Sequence, residues 1–386
     1  MKSTHNRLRV LIATPDGLGG HGGIDRLNDM VADVIAGTPE MDVTIERLVT
    51  RGTRGIIFAP LVFVWALVRL WLAAKRHKVD VVHISLSLKG SAYRKIIVAR
   101  VAKHCGVPYV IHLHGGGFEY FWLTVGTRFR KAIDRMFVES ENIVLLGRYW
   151  SGIFAGWLPQ TAGKLIVLPN ATPSPTAENQ PSKDGRVRLT FLGELGRRKG
   201  TPQLMAALGR LAERADWTAT LGGNGDVEGT RICAQRLGIA DRTEIPGWLD
   251  SETTAQVLRR SDILVLPTFI ENLPMTILEA FAYGVPVITT PVAAITEVVN
   301  HGRNGLLVPV GDIDALTGAL RRLIEDRELR QCLGRAARED HMRAYEIRGY
   351  VDRLVELWRK AARSRDVPCS PKLQQLCLMK NDWSQP

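Results

Sequence analysis

Two carboxylates eight residues apart, Glu271 and Glu279, bracket a segment suited to an anionic ligand that also carries hydroxyls. An apolar run from Ile263 to Pro267 leads into the segment as a strand. Gly284-Val285-Pro286 turns out of it into a second strand, Val287 to Thr290. Asn272 and Pro274 lie between the two acids and read as a helix start, because Asn caps free N–H groups and Pro suits the first turn. A strand that ends in an acidic loop and a helix N-terminus offers backbone N–H donors to phosphate and carboxylates to hydroxyls. Glu279 falls among Ile277, Leu278, Ala280 and Phe281, where a solvated helix face is unnatural.

The elements that must position these acids repeat along the chain. At 386 residues, two domains are expected. Residues 8–13 are a short β-branched run, followed by a glycine-rich loop from Pro15 to Asp25 and a helical pattern from Ile24 to Ile35. This order opens a doubly wound nucleotide-binding fold, although the glycines do not form a clean G-x-G-x-x-G and a plain surface loop gives the same pattern. Val43–Val49, Asp80–Ser85, Pro108–Leu113, Ile143–Leu146 and Lys164–Pro169 read as further strands. His114 ends one of them, directly before Gly115-Gly116-Gly117, and His112 shares its strand face. Strands alternating with helices predict a parallel sheet covered on both faces. Residues 171–186 lack apolar periodicity and carry three prolines, which marks a linker between a domain at 1–170 and a second at 187–340. Helices at 341–363 are expected to pack back on the first domain, and no function is read from the tail at 364–386. The predicted fold class is α/β, two doubly wound Rossmann-like domains facing each other across a cleft.

Composition narrows the partners. Net charge is +12, and residues 47–103 hold twelve Lys/Arg against a single acid, Asp80. Within that window, residues 55–74 are almost wholly apolar, but Pro60 and Arg69 interrupt a stretch that would need ~20 apolar residues to span a bilayer. Two readings stand: a crossover helix buried on the sheet, or a helix lying in a membrane interface with Arg51, Arg54, Lys75, Arg76 and Lys78 on anionic headgroups. The basic residues interleave with this apolar run rather than with stacking aromatics, which argues against nucleic acid. Five scattered cysteines have no pairing or metal spacing, and the N-terminus has no apolar leader, so a reduced cytoplasmic setting is expected. Asp312-Ile313-Asp314 is formally a D-x-D, yet it precedes a helix, where Asp312 reads as an N-cap and Asp314 as a first-turn acid. No metal site is expected.

The stretches Phe191–Gly200, Glu271–Ile288 and Asn304–Pro309 resemble the retaining family 4 glycosyltransferases of GT-B fold, which carry an E-x7-E motif. The resemblance covers nearly all of the chain up to about residue 363. It implies that Glu271 holds hydroxyls of a donor sugar and Glu279 the ribose diol of its nucleotide. Backbone N–H groups of Asn272 and Leu273 would face sugar and phosphate. Lys199 matches the pyrophosphate lysine, with Arg198 beside it. Gly22 and Gly23 match the family's N-terminal glycine pair, which lets the backbone approach the diphosphate. His114 resembles the histidine near the sugar's reactive carbon. The sequence departs from the family at Glu194, where an arginine is usual; Arg197 or Arg198 then substitutes, or Glu194 orients one of them.

The implied activity is transfer of a hexosyl unit from a UDP- or GDP-sugar, with retention and without metal or other cofactor. The implied acceptor is a polyprenyl-linked or membrane-surface glycan in bacterial exopolysaccharide, lipopolysaccharide or glycolipid synthesis. The basic, apolar N-terminal window fits a peripheral position on the inner face of the plasma membrane. Competing readings are a nucleotide-sugar epimerase of the same fold, a glucan phosphorylase, and a basic nucleic-acid-binding protein.

Overall fold

A computed structural model describes residues 7–17, 22–52, 57–177, 179–180 and 185–364. Part of the predicted glycine-rich loop and nearly all of the tail at 364–386 therefore lie outside the described residues. Two six-stranded, wholly parallel sheets form the frame. The first contains β1 Leu8–Thr14, β2 Val43–Val49, β3 Val81–Leu86, β4 Tyr109–Leu113, β5 Asn142–Leu145 and β6 Leu165–Val167, in the order β2-β1-β3-β4-β5-β6. The second contains β7 Val187–Leu192, β8 Trp217–Gly222, β9 Thr243–Gly247, β10 Ile263–Leu266, β11 Val287–Thr289 and β12 Gly305–Leu307, in the order β12-β11-β10-β7-β8-β9. Both sheets reverse their strand order once, between β1 and β3 and between β7 and β10. Ligands of open α/β sheets bind at such switch points, beyond the carboxyl ends of the strands.

Helices cover both faces, as continuous apolar strands require. They are α1 Gly23–Ala36, α2 Ala59–Lys75, α3 Gly90–His104, α4 Phe118–Thr124, α5 Thr127–Glu139 and α6 Arg148–Trp157 around the first sheet. Around the second are α7 Thr201–Gly209, α8 Val227–Arg236, α9 Ser251–Arg260, α10 Met275–Ala282, α11 Ile295–Val298, α12 Ile313–Glu325 and α13 Arg327–Asp340. Asp312 caps α12 by accepting from Ala315 N at 2.8 Å, and Asp314 pairs with Arg210. The last helix, α14 Ile347–Arg363, leaves the second domain and packs on the first. Its Val351, Leu354 and Trp358 join a core with Val10, Leu27 and Val81, and Trp358 Nε1 donates to His83 Nδ1 at 3.1 Å.

The structure removes one reading of α2. Only Ala66, Leu70 and Ala74 of this helix are buried, while Leu61 is 70% and Trp65 65% exposed. It is not the buried crossover helix that its composition permits. No helix among the described residues is long and apolar enough to cross a membrane.

Candidate active site

A cavity of about 770 Å³ lies between the carboxyl ends of the two sheets. The loop after β7 brings Glu194, Arg198 and Lys199 to it, and the loop after β10 brings Glu271. The opposite wall is His114 and the glycines that follow β4. The first residues of α1 and α10, Gly23 and Met275, also line it, so two helix N-termini converge on one space. Their unpaired N–H groups and aligned dipoles favour an anion there.

Side chains of the second domain hold one another. Lys199 Nζ is ion-paired with Glu271 Oε2, and both are largely buried. Arg198 Nη2 donates to Glu194 Oε2 at 2.8 Å, while its Nη1 lies 3.9 Å from Glu271 Oε2. Glu194 therefore orients Arg198 and offsets its charge. Gly200 closes this loop with φ +76°, and a Cβ there would lie 1.9 Å from the Pro267 carbonyl oxygen. Only glycine lets the loop after β7 sit this close to the end of β10.

Asn272 behaves differently from the sequence expectation. The N-cap of α10 is Pro274, and the helix starts at Met275. Asn272 is instead buried between the domains. Its Oδ1 accepts from Trp150 Nε1 at 2.8 Å, and its Nδ2 donates to Leu113 O at 3.2 Å. Its own N–H is directed at Glu271 Oε1, 3.3 Å away, and Asn272 does not line the cavity. A polar side chain buried this deeply needs both partners, and the first domain supplies them. Leu273 reaches the cavity wall, and its carbonyl accepts from Asn170 Nδ2 at 2.8 Å.

More bonds of this kind join the domains. Glu297 caps α6, accepting from Arg148 N at 2.7 Å and Tyr149 N at 2.8 Å. Gly116 packs on the acidic loop so closely that a Cβ would fall 2.5 Å from the carbonyl carbon of Glu271.

Glu279 is 7% exposed and does not itself line the cavity. Arg26, which does, lies over it with Nη2 2.7 Å from Glu279 Oε1. Neither carboxylate oxygen accepts a well-formed hydrogen bond. Burial pushes the Glu279 carboxyl upward, and Arg26 opposes that.

His114 faces the cavity, whereas His112 is buried behind it. The two rings are 3.9 Å apart between centroids, and His83 stands edge-on to His112. Burial, reinforced by His83, brings His114 down to about 3, so its imidazole is neutral near pH 7. Its Nε2 is buried without a hydrogen-bond partner. A neutral imidazole there can exchange hydrogen bonds with a hydroxyl but is no proton reservoir at neutral pH.

Sequence reasoning missed Arg26, Trp150, Asn170 and Gly116. Arg26 had a signal: a cation in the first turns of a helix opposes the macrodipole and calls for a nearby anion. Among the described residues, no group of three or more His, Cys, Asp or Glu is placed to hold a metal ion.

Residues 175–340 match the family model described as "Glycosyl transferases group 1". An uncharacterized glycosyltransferase of Methanocaldococcus jannaschii is 25% identical over 181 residues, 46% of this chain and 46% of that protein. The UDP-Gal:alpha-D-GlcNAc-diphosphoundecaprenol alpha-1,3-galactosyltransferase of Escherichia coli is 25% identical over 323 residues, 76% of this chain and 78% of that enzyme. The solved structure of Anabaena HepE in complex with UDP-glucose superposes with a TM-score of 0.72 at 16% identity, covering 92% of this chain and 100% of that one. The family match falls on the second domain and the segment before it, and the structural likeness shows the GT-B fold.

Proposed function

We propose that this protein moves a hexosyl unit from a nucleotide diphosphate sugar to a glycan acceptor with retained anomeric configuration, as in the family 4 enzymes with an E-x7-E motif. The observation that carries the reading is the convergence of Lys199, Glu271, His114 and two helix N-termini on one cavity at the switch points of both sheets. The diphosphate lies at those N-termini, near Lys199 and Arg198. Glu271 and His114 hold hydroxyls of the sugar. The ribose diol supplies Glu279 with the two donors its buried oxygens lack. The bond between the anomeric carbon and the phosphate oxygen breaks, and its electron pair stays on that oxygen. The acceptor hydroxyl oxygen bonds to the same face of the carbon, and its proton passes to the departing phosphate. The protein contributes positioning and fixed charge rather than a covalent nucleophile. No metal is required in this reading, and turnover lost to EDTA and restored by Mn²⁺ would overturn that part.

A UDP- or GDP-sugar is the proposed donor; the E. coli relative and the Anabaena structure are described with UDP-sugars. The exposed apolar face of α2, followed by exposed Lys75, Arg76 and Lys78, supports a lipid-linked or membrane-surface acceptor. We place the enzyme on the inner face of the plasma membrane, in bacterial polysaccharide or glycolipid synthesis. A thermal-shift screen of UDP-, GDP- and ADP-sugars is the first test. It is followed by NMR assignment of the anomeric configuration of the product formed with a polyprenyl-linked acceptor. Conversion of the donor with no acceptor present would identify an epimerase instead.

A further inference from the structure

We propose that Arg26 is a further cation of the diphosphate site, delivered from the opposite domain. The proposal rests on the nucleotide-sugar reading above and names a residue that the E-x7-E pattern does not include.

The phosphate loop alone is short of positive charge. Arg198 is bonded to Glu194 and Lys199 is ion-paired with Glu271, so the two cations come with two anions. A departing nucleotide diphosphate gains negative charge as the glycosyl bond breaks, and fixed cations beside it lower the barrier. The wall formed by the second domain offsets little of that charge. Arg26 lies in the same cavity, in the first turns of α1, three residues beyond Gly23.

The partner that Arg26 has in the structure explains how it is held ready. Its Nη2 sits 2.7 Å from Glu279 Oε1, across the boundary between the domains. Glu279 is buried beneath the guanidinium and away from the cavity surface. Ribose hydroxyls that donate to this carboxylate replace the coulombic partner with two hydrogen bonds. The guanidinium, on a long and flexible stem, then turns to the phosphates. These lie at the α1 N-terminus, where an anion is favoured and an unpaired arginine is not. One residue thereby reads both halves of the donor: the nucleoside frees it and the diphosphate takes it up. Because Arg26 and Glu279 belong to different domains, the same exchange ties donor binding to the fit of the domains.

The test is calorimetric titration of the full chain with UDP, GDP and ADP, with the nucleoside of whichever diphosphate the wild type binds, and with inorganic pyrophosphate. Arg26→Gln is expected to weaken the nucleoside diphosphate by about ten- to a hundredfold, the range for loss of a charge-assisted bond. It should leave the nucleoside unchanged or bound more tightly, since Glu279 is released. Glu279→Gln should do the reverse, weakening the nucleoside and strengthening pyrophosphate. That gain should vanish in the Arg26→Gln/Glu279→Gln double variant. Equal loss of nucleoside and diphosphate in Arg26→Gln, or no loss of either, would make Arg26 a structural partner of Glu279 and overturn the proposal. Unchanged pyrophosphate binding in Glu279→Gln would overturn it too, even if Arg26→Gln does not fold. A wild type that takes none of the three diphosphates defeats the nucleotide-sugar reading itself, and that outcome is visible before any variant is made.

Discussion

Lys199 of the loop after β7 and Glu271 of the loop after β10 form an ion pair that joins the two segments carrying the candidate site. Each holds the other in place, and removing either leaves a largely buried charge behind. Lys199→Ala is expected to lower kcat by about 10²–10³-fold, the usual effect of losing one fixed stabiliser of developing charge. Glu271→Ala should lose most activity as well, because it removes the proposed sugar contact and releases Lys199. Steady-state kinetics with the cognate donor, paired with circular dichroism to show that both variants are folded, checks this. Near-native turnover in either would count heavily against the assignment.

Asn272 gives a prediction about stability. Its side chain satisfies Trp150 Nε1 and Leu113 O in a buried boundary between domains. Asn272→Ala strands both groups, and each unsatisfied buried partner costs about 1–3 kcal/mol. Trp150→Phe also strands Asn272 Oδ1 and leaves a void where the fully buried indole packed, so it too should destabilise. Urea unfolding of both variants should give midpoints below that of the wild type. Equal midpoints for Asn272→Ala and wild type would show that the boundary does not depend on this residue.

Gly116 tests whether the approach of the domains matters to turnover. The Cβ of Gly116→Ala would meet the backbone of Glu271 at 2.5 Å, and backbone cannot swing aside as a side chain can. The variant should force the acidic loop away from β4 and reduce kcat at least tenfold, the scale of small misplacements in positioned sites. Both domains should keep their fold, because Gly116 lies on the surface where they meet. Wild-type kcat in Gly116→Ala would mean that this contact is dispensable.

Much of this molecule was legible in the sequence. The parallel sheets follow from short β-branched runs alternating with helical periods, and the pair Glu271 and Glu279 stands out because Glu279 sits among apolar neighbours. The partners of these groups were not legible. Asn272 looks like a helix cap because local rules favour Asn before a helix, yet its two partners, Leu113 and Trp150, lie more than a hundred residues away in sequence. Arg26 and Glu279 are likewise joined only by the arrangement of the domains. Composition could not tell whether α2 is buried, since an apolar helix suits a core and a bilayer interface equally; the exposure of its side chains removes only the buried reading.

The histidines predict how stability depends on pH. Burial lowers His83 and His114 to about 3 and His341 to about 4, and it takes His112 well below its ordinary value. Between those values and about 6.5 the unfolded chain binds more protons than the folded one. The stability these groups contribute is therefore complete above about pH 6.5 and lost as the pH falls below it. Each fully buried ring should cost roughly 1.4 kcal/mol per pH unit within that window. Urea unfolding at pH 8, 7, 6 and 5 should give similar free energies at the first two and a steep decline after. A flat profile down to pH 5 would show that these imidazoles are accessible to protons in the folded state.

The last prediction concerns α2 and its outer face. Trp65 is 65% and Trp71 45% exposed, and Leu61, Val64 and Val68 lie with them. Each large apolar side chain left in water forgoes about 1.5–3 kcal/mol of burial, so a face of this size calls for a cover. The charge around it selects the cover. Arg51 is engaged by Asp16 and Arg69 by Glu46, but Lys75, Arg76 and Lys78 form an exposed basic group at the end of the helix. Basic residues beside an apolar face containing tryptophan match an anionic bilayer interface, to which each cation adds about 1 kcal/mol. The purified protein should co-float with phosphatidylglycerol vesicles at low salt and bind phosphatidylcholine vesicles far more weakly. Raising the salt to about 0.5 M should weaken binding without abolishing it, because screening acts on the lysines and arginines and not on the inserted apolar side chains. Trp65→Glu with Trp71→Glu should remove vesicle binding while leaving turnover of a water-soluble acceptor analogue unchanged, since neither residue lines the cavity. Quantitative recovery of the wild type away from phosphatidylglycerol vesicles at low salt would refute the membrane assignment. A concentration-dependent dimer abolished by the same substitutions would show that a second copy of the chain covers the face instead.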